Sequence, residues 1–264
     1  MRLQSTSQTR WGRRHLALAT VLVLQPVVVT AQTVIAPSST DQPSPASAEQ
    51  SGAIRWWQGA LVVGGISTLM LLDEPTQRFS QQNRSGTGND VAGGLRHFGQ
   101  PEVYGTVTLG LLSTGLISGN GEITRAGGRL AASLALAGAA SGLAKLTFGR
   151  PRPSDSYDAD GYVPFSGQEA MPSGHTTMAF ALATSLADDI HRTWATVGLY
   201  TVASGVAWSR INDNRHWLTD VAAGAVLGIS SAKLVNGRWR IFNLRPPSFL
   251  VGPRQATVAW RFSF

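Results

Sequence analysis

The 264-residue chain contains no cysteine. That excludes a disulfide framework, a thiolate nucleophile and a cysteine-bound metal. Charge is scarce as well. Asp, Glu, Lys and Arg make up 14% of the residues, against 43% hydrophobic, where soluble domains carry roughly 25% charged residues. The chain also lacks an obvious apolar run of the ~20 residues that cross a bilayer as a helix. Its apolar segments reach that length only when counted generously, and several carry charges: Lys145, Asp188, Asp189, Asp220 and Lys233. No repeat of fixed period is visible. The net charge of +7 suits a phosphate ligand, an anionic lipid or a nucleic acid. The basic residues are scattered, with no nucleic-acid fold signature and no interleaved basic/aromatic stripe, so no nucleic acid is expected as a partner.

What the chain does contain begins with an export signature. Arg2, Arg10, Arg13 and Arg14 precede the apolar run LALATVLVL, and Val29-Thr30-Ala31 offers a small-residue cleavage site before Gln32. This reads as a signal peptide over residues 1–31. Arg13-Arg14 loosely resembles a twin-arginine signal, and an uncleaved anchor is the alternative. Residues 32–53, rich in Pro, Ser, Gln and Ala, read as a flexible linker. From Ile54 to Arg240, Ala/Gly/Leu-rich segments alternate with short polar loops. The pattern predicts an all-α fold, a bundle of about six helices with the active site at one end. Helices are expected near 54–72, 103–118, 127–148, 174–190, 193–209 and 217–236. The long polar stretch Asp73–Glu102 reads as a surface connection carrying at most a short helix around Asn89–Phe98. In the tail, residues 241–264, apolar Val258, Trp260, Phe262 and Phe264 alternate with Ala259, Arg261 and Ser263, and Gly252-Pro253 interrupts the run. A short C-terminal β-hairpin or extended arm follows from that period. If the signal run crossed outward and all six helices spanned, the basic loops would lie outside, against the positive-inside rule. Either the first helix does not span, or the bundle is periplasmic and at most membrane-associated.

Three stretches carry chemistry. In SRINDNRHWLTD, Ser209–Asp220, His216 and Asp220 are four apart and would stack on one helix face. A carboxylate there would fix the tautomer and orientation of the imidazole. Arg210 and, in KLTFGRPRP, Arg152 supply planar donor forks for phosphate, while Lys145 adds a compact charge. In PSGH, Pro172–His175, Ser173 and Gly174 fall where a loop becomes a helix, so their backbone N–H groups and the helix dipole would face an anion. The loop Ser154–Met171 contains DSYDADG, but Tyr157 and Ser166 stand where an EF-hand needs oxygen ligands, so no calcium is expected. Read singly, His216 and Asp220 could be a structural pair, Lys145 and Arg152 helix-end cations, and Ser173 a plain cap.

Taken in order, the three stretches match Lys-x6-Arg-Pro, Pro-Ser-Gly-His and Ser-Arg-x5-His-x3-Asp with no position substituted. The chain therefore resembles the type 2 phosphatidic acid phosphatase superfamily over roughly residues 54–240. The resemblance implies that His216 attacks phosphorus and forms a phosphohistidine, that Asp220 orients it, and that His175 protonates the leaving group. It implies phosphate binding by Lys145, Arg152, Ser173, Gly174 and Arg210, with no metal or cofactor. The expected substrate is a phosphomonoester or diphosphate, above all of a lipid, the expected partners being a phosphorylated lipid or a small phosphate ester, with membrane contact and an exported, periplasmic location. A water-soluble non-specific acid phosphatase shares the motifs. So does a vanadium haloperoxidase, although such chains are usually longer, and a non-catalytic phosphate- or lipid-binding protein is the non-enzymatic alternative. His15, His97 and His191 match no motif position and are given no role.

Overall fold

Local signals in the chain set most helix ends. The computed structural model describes residues 52–156, 158–240, 248–252 and 255–259. The expected signal, all but the last two residues of the linker, and Trp260, Phe262 and Phe264 lie outside them. Helix α1 (Trp56–Leu69) runs through a 3-10 turn at Met70–Leu72 into α2 (Asp73–Gln82). Helix α3 (Gly86–Arg96) is capped by Ser85, whose Oγ accepts the Gly88 N–H at 3.0 Å. Helix α4 (Pro101–Ser118) starts on a proline, which fits the first turn because no N–H is needed there. Asn120 caps α5 (Gly121–Phe148) by accepting the Glu122 and Ile123 N–H groups. The bundle is completed by α6 (Gly174–Ile190), α7 (Thr193–Asn212) and α8 (Leu218–Val235).

The six expected helices are all present, and the described residues are all-α apart from short strands. The stretch Asp73–Glu102 differs from expectation. It holds two helices, α2 and α3, and is no mere surface connection. Hydrophobic periodicity could not reveal α2, because DEPTQRFSQQ has a single large apolar residue, Phe79, and docks through polar groups. Gln77 donates to Asn214 Oδ1 at 2.9 Å and Gln81 to the Ile211 carbonyl at 3.2 Å.

Helix α6 is the centre of the bundle, packed against α5, α7 and α8. One side carries Ala181 and Leu182 against Leu130, Leu134 and Ala137 of α5. Another sets Ala179, Phe180 and Ala183 against Ala203 and Val206 of α7. Helix α8 comes closest because it presents glycine to the α6 backbone. A Cβ on Gly228 would sit 2.3 Å from the Thr177 carbonyl oxygen, which no side chain tolerates. Three of the charges foreseen within the helices, Asp188, Asp189 and Lys233, are paired at the far end of α6. Lys233 reaches Asp188 at 2.5 Å, and Arg129 Nε donates to Asp189 at 3.1 Å.

The outer faces are apolar. Trp56 and Leu61 on α1, Ile117 on α4, Leu143 on α5 and Trp194 on α7 are exposed, and α1 buries none of its residues. Helices α5 and α8 are each long and apolar enough to cross a membrane. At the ends, β1 (Gly52–Ala53) pairs in parallel with β2 (Trp239–Arg240), so the last two linker residues are tied to the end of the bundle. Strands β3 (Ser248–Gly252) and β4 (Gln255–Ala259) form the antiparallel hairpin that the alternation anticipated.

Candidate active site

The site is built from the loop between α5 and α6 and from the two helix junctions it meets. Gly149 ends α5 in the left-handed conformation at φ 54°. A Cβ there would lie 1.8 Å from the Val163 carbonyl oxygen, so only glycine lets the loop fold back on the helix end. Backbone bonds then staple the loop: Val163 N–H to Gly149 O at 3.0 Å, and Ala170 N–H to Arg150 O at 3.0 Å. This puts the Ala170 carbonyl beside His216, whose Nδ1 bonds it at 2.8 Å.

That contact corrects the expected His216–Asp220 geometry. His216 is not on the helix face; it precedes α8, with Trp217 as N-cap. Asp220 Oδ2 accepts the Trp217 N–H at 2.8 Å and lies 3.6 Å from His216 Nδ1, beyond hydrogen-bond range. The ring is therefore oriented by a backbone carbonyl, and Asp220 acts on it through charge. Because a carbonyl only accepts, Nδ1 carries the proton and Nε2 keeps its lone pair. Burial lowers the pKa of His216, against the opposing pull of Asp220, while Lys145 and Arg210 lower it further. The imidazole is thus held neutral, as a nucleophile requires.

Asp220 is itself held by residues that sequence reasoning missed. Arg150, fully buried, donates to Asp220 Oδ1 at 2.8 Å, Thr219 Oγ1 at 2.7 Å, Asp73 Oδ2 at 2.5 Å and the Ala159 carbonyl at 2.8 Å. Asp73, at the start of α2 and equally buried, also accepts the Thr219 N–H at 2.8 Å and the Thr219 hydroxyl at 2.5 Å. The rings of Tyr162 and Trp217 lie 5.2 and 5.4 Å from the Arg150 guanidinium carbon. Two carboxylates, a hydroxyl and a carbonyl satisfy this arginine entirely within the fold. The doubled Arg-Pro of GRPRP was the available signal: two arginines with separate duties.

Ser173 also departs from expectation. It stands at the N-cap position of α6 without a side-chain cap bond and is fully buried; its N–H donates to the Asp220 carbonyl at 2.9 Å, and its hydroxyl accepts from Thr176 at 3.0 Å. Its backbone donor is therefore committed to holding α6 against α8. Gly174, the first residue of α6, stays beside Lys145, whose Cε is 3.9 Å from where a Gly174 Cβ would stand. Lys145 Nζ donates to the Glu169 carbonyl.

The remaining cations have donors to spare. Among the described residues the Arg210 side chain gives one bond, at 3.0 Å to Asp213, and its buried Nε has no partner. The Arg152 side chain makes no hydrogen bond among the described residues, in contrast to Arg150 two positions earlier. His175 lines an open cleft of about 400 Å³ with Arg84, Arg96, Arg210, Asp213 and Arg215. Its pKa is pushed down to about 4, first by burial and then by Arg210, His216 and Arg96, with Asp213 opposing. After burial, neighbouring charge links the group: Arg152 acts on Lys145 and Arg210, Lys145 and Arg210 on His216, and Arg210 and His216 on His175. Sequence order alone could not show that. His97 and His191 bond Gln100 and Arg238 respectively.

A neutral, fixed imidazole beside three underused cations, at one end of a helical bundle, is an arrangement for phosphoryl chemistry. A family model described as the PAP2 superfamily matches residues 126–242, in line with the resemblance carried by the three motifs. Over 111 residues it is 42% identical to a lipid A 1-phosphatase of Porphyromonas gingivalis, a match covering 41% of this chain and 22% of that protein. The chain thus spans about a fifth of that relative's length. A transmembrane PAP2-type phosphatidylglycerolphosphate phosphatase of Bacillus subtilis superposes with a TM-score of 0.52 at 19% identity, covering 69% of this chain and 92% of that one. That likeness shows the fold. LpxE of Aquifex aeolicus gives a TM-score of 0.48 at 23% identity, covering 61% and 92%.

Proposed function

We propose that this protein is a phosphatase that hydrolyses phosphomonoesters or diphosphates of lipids through a phosphohistidine on His216. The observation that carries the reading is the unspent donor capacity of Arg152 and Arg210 around a histidine with a free Nε2. A dianionic phosphoryl group would bring partners to those donors, including the buried Arg210 Nε, and Lys145 and the Gly174 N–H would complete the cradle. Nε2 of His216 attacks phosphorus, the bond to the leaving oxygen breaks, and that oxygen takes the electron pair and a proton from His175. Phosphoryl binding would cancel part of the positive field of Arg210 that depresses His175, restoring its capacity to carry the proton. Water then attacks the phosphohistidine with His175 as base and releases phosphate. Asp220 stabilises the ring as positive charge develops on it.

A lipid substrate is supported by the relatives, which are named for lipid A and phosphatidylglycerolphosphate, and by the exposed apolar faces of α1, α4, α5 and α7. An exported, membrane-associated location fits both those faces and the signal-like N-terminus. The test is phosphate release and phosphoenzyme trapping under non-acidic quench, comparing wild type with His216→Ala. Wild type should yield an acid-labile phosphoenzyme and the variant none. A phosphoenzyme of equal yield in His216→Ala would remove His216 as nucleophile. A panel of lipid phosphates against glycerol phosphate separates the lipid enzyme from a water-soluble acid phosphatase.

A further inference from the structure

The cleft beside His175 holds more positive charge than one phosphoryl group can use. Four guanidinium groups, Arg84, Arg96, Arg210 and Arg215, face one carboxylate, Asp213. Asp213 is occupied by Arg210 at 3.0 Å and Arg96 at 3.6 Å. Among the described residues Arg84 reaches only neutral oxygens, on Asn89 at 3.1 Å and Gln81 at 3.4 Å. The Arg215 side chain makes no hydrogen bond or ion pair among the described residues. Like charges gathered at a concave surface repel one another and concentrate an anionic ligand there. Of the four, Arg210 alone belongs to the phosphate cradle around His216. The other three line the cleft that His175 also lines, and His175 is the residue to which the reading above gives the proton for the leaving oxygen.

We infer that this cleft is a second anion subsite, in which Arg84, Arg96 and Arg215 bind an additional phosphate carried on the leaving-group side of the substrate. The inference rests on the phosphatase reading above and narrows its substrate class to molecules with two phosphates. For a diphosphate the step balances simply. His216 Nε2 forms a bond to the terminal phosphorus, the bond from that phosphorus to the bridging oxygen breaks, and its electron pair stays on the oxygen. The departing group is then a phosphate monoester whose new charge is shared with its other oxygens. Such a leaving group needs cations near it more than it needs a proton, and the arginine cleft supplies them. The low pKa of His175, to which Arg210 and Arg96 contribute, suits the same chemistry.

The experiment uses the full chain in detergent micelles with three substrates of one alkyl chain: the monophosphate, the diphosphate and the 1,2-bisphosphate. Wild type, Arg84→Gln and Arg215→Gln are compared by kcat/KM. Both residues are exposed, so neither change threatens the fold. Wild type should favour a doubly phosphorylated substrate, and each variant should lower that preference, as the ratio to the monophosphate, by roughly tenfold. Added salt should lower it too. A preference confined to the diphosphate places the second phosphate next to the first; one confined to the bisphosphate places it on a neighbouring carbon. A ratio unchanged in both variants, or a wild-type preference for the monophosphate, overturns the subsite while leaving the phosphatase reading intact. No turnover of any substrate removes both.

Discussion

Replacing Asp73 by Asn would cost this protein far more than a change of one atom suggests. Asp73 is fully buried, and each of its oxygens accepts from a fixed donor: Oδ1 from the Thr219 N–H, Oδ2 from Arg150 and the Thr219 hydroxyl. Asparagine keeps one oxygen and turns an NH2 on the other set of donors. It also leaves the buried Arg150 charge with Asp220 as its only anionic partner. Breaking a buried ion pair on one side costs about 3–5 kcal/mol. The exposed pair Arg78–Glu74, at 4.0 Å, is the internal control, since removing such a contact costs less than about 1 kcal/mol. Denaturant titration followed by circular dichroism in mild detergent measures both. Activity of the folded fraction should fall as well, because Thr219 and Asp220 open the helix that sets the position of His216. The reasoning also predicts that Asp73→Leu with Arg150→Met recovers much of the stability but not the activity, since Asp220 then lacks its guanidinium. Stability of Asp73→Asn within about 0.5 kcal/mol of wild type would refute the account, because changes away from buried networks lie in that range.

Other outcomes follow from the same geometry. Arg152→Ala should leave stability unchanged and lower turnover about 10²–10³-fold, the range for one preorganised donor on a developing anion; equal losses of both would make Arg152 structural. For His175 the unfolded chain takes up a proton near the ordinary 6.5, the folded protein only near 4. The unfolded state therefore binds more protons between those values. Stability should fall as pH drops from about 6.5 to about 4 and that contribution should level off below, with buried His216 acting in the same direction. His175→Asn should flatten the slope, and an unchanged slope in a pH series of melts would contradict the burial argument. Gly228→Ala should destabilise by about 1–3 kcal/mol, since its Cβ meets Thr177 and Ala181 backbone atoms. Gly59→Ala, with nothing within 4 Å, should be neutral or slightly stabilising, and similar melts for both would dismiss the close α6–α8 approach.

Much of this molecule is legible in one dimension. The apolar period of α4 to α8, Pro101 at a first turn and Gly149 past a last turn are local signals, because a helix answers to neighbours three and four residues away. The alternation and the Gly252-Pro253 break foretold the β3–β4 hairpin for the same reason. Helix α2 was illegible because its reason for being a helix is a carboxylate and two glutamines reaching distant residues. No periodicity records that.

The motif register of Lys145, Arg152, Ser173, His175, Arg210, His216 and Asp220, and hence the resemblance to the superfamily, was determined by sequence alone: identity and spacing are properties of the chain. Tertiary structure decided what each residue spends its hydrogen bonds on. It committed the Ser173 N–H to Asp220, gave His216 Nδ1 to the Ala170 carbonyl in place of the expected carboxylate, and separated Arg150, satisfied by Asp73 and Asp220, from Arg152, left with free donors. The physical reason is that a buried polar group must be paired wherever a partner can be found. Those partners stand 46 to 77 positions away along the chain, brought within reach only by the packing of α2 and α8 against the loop before α6.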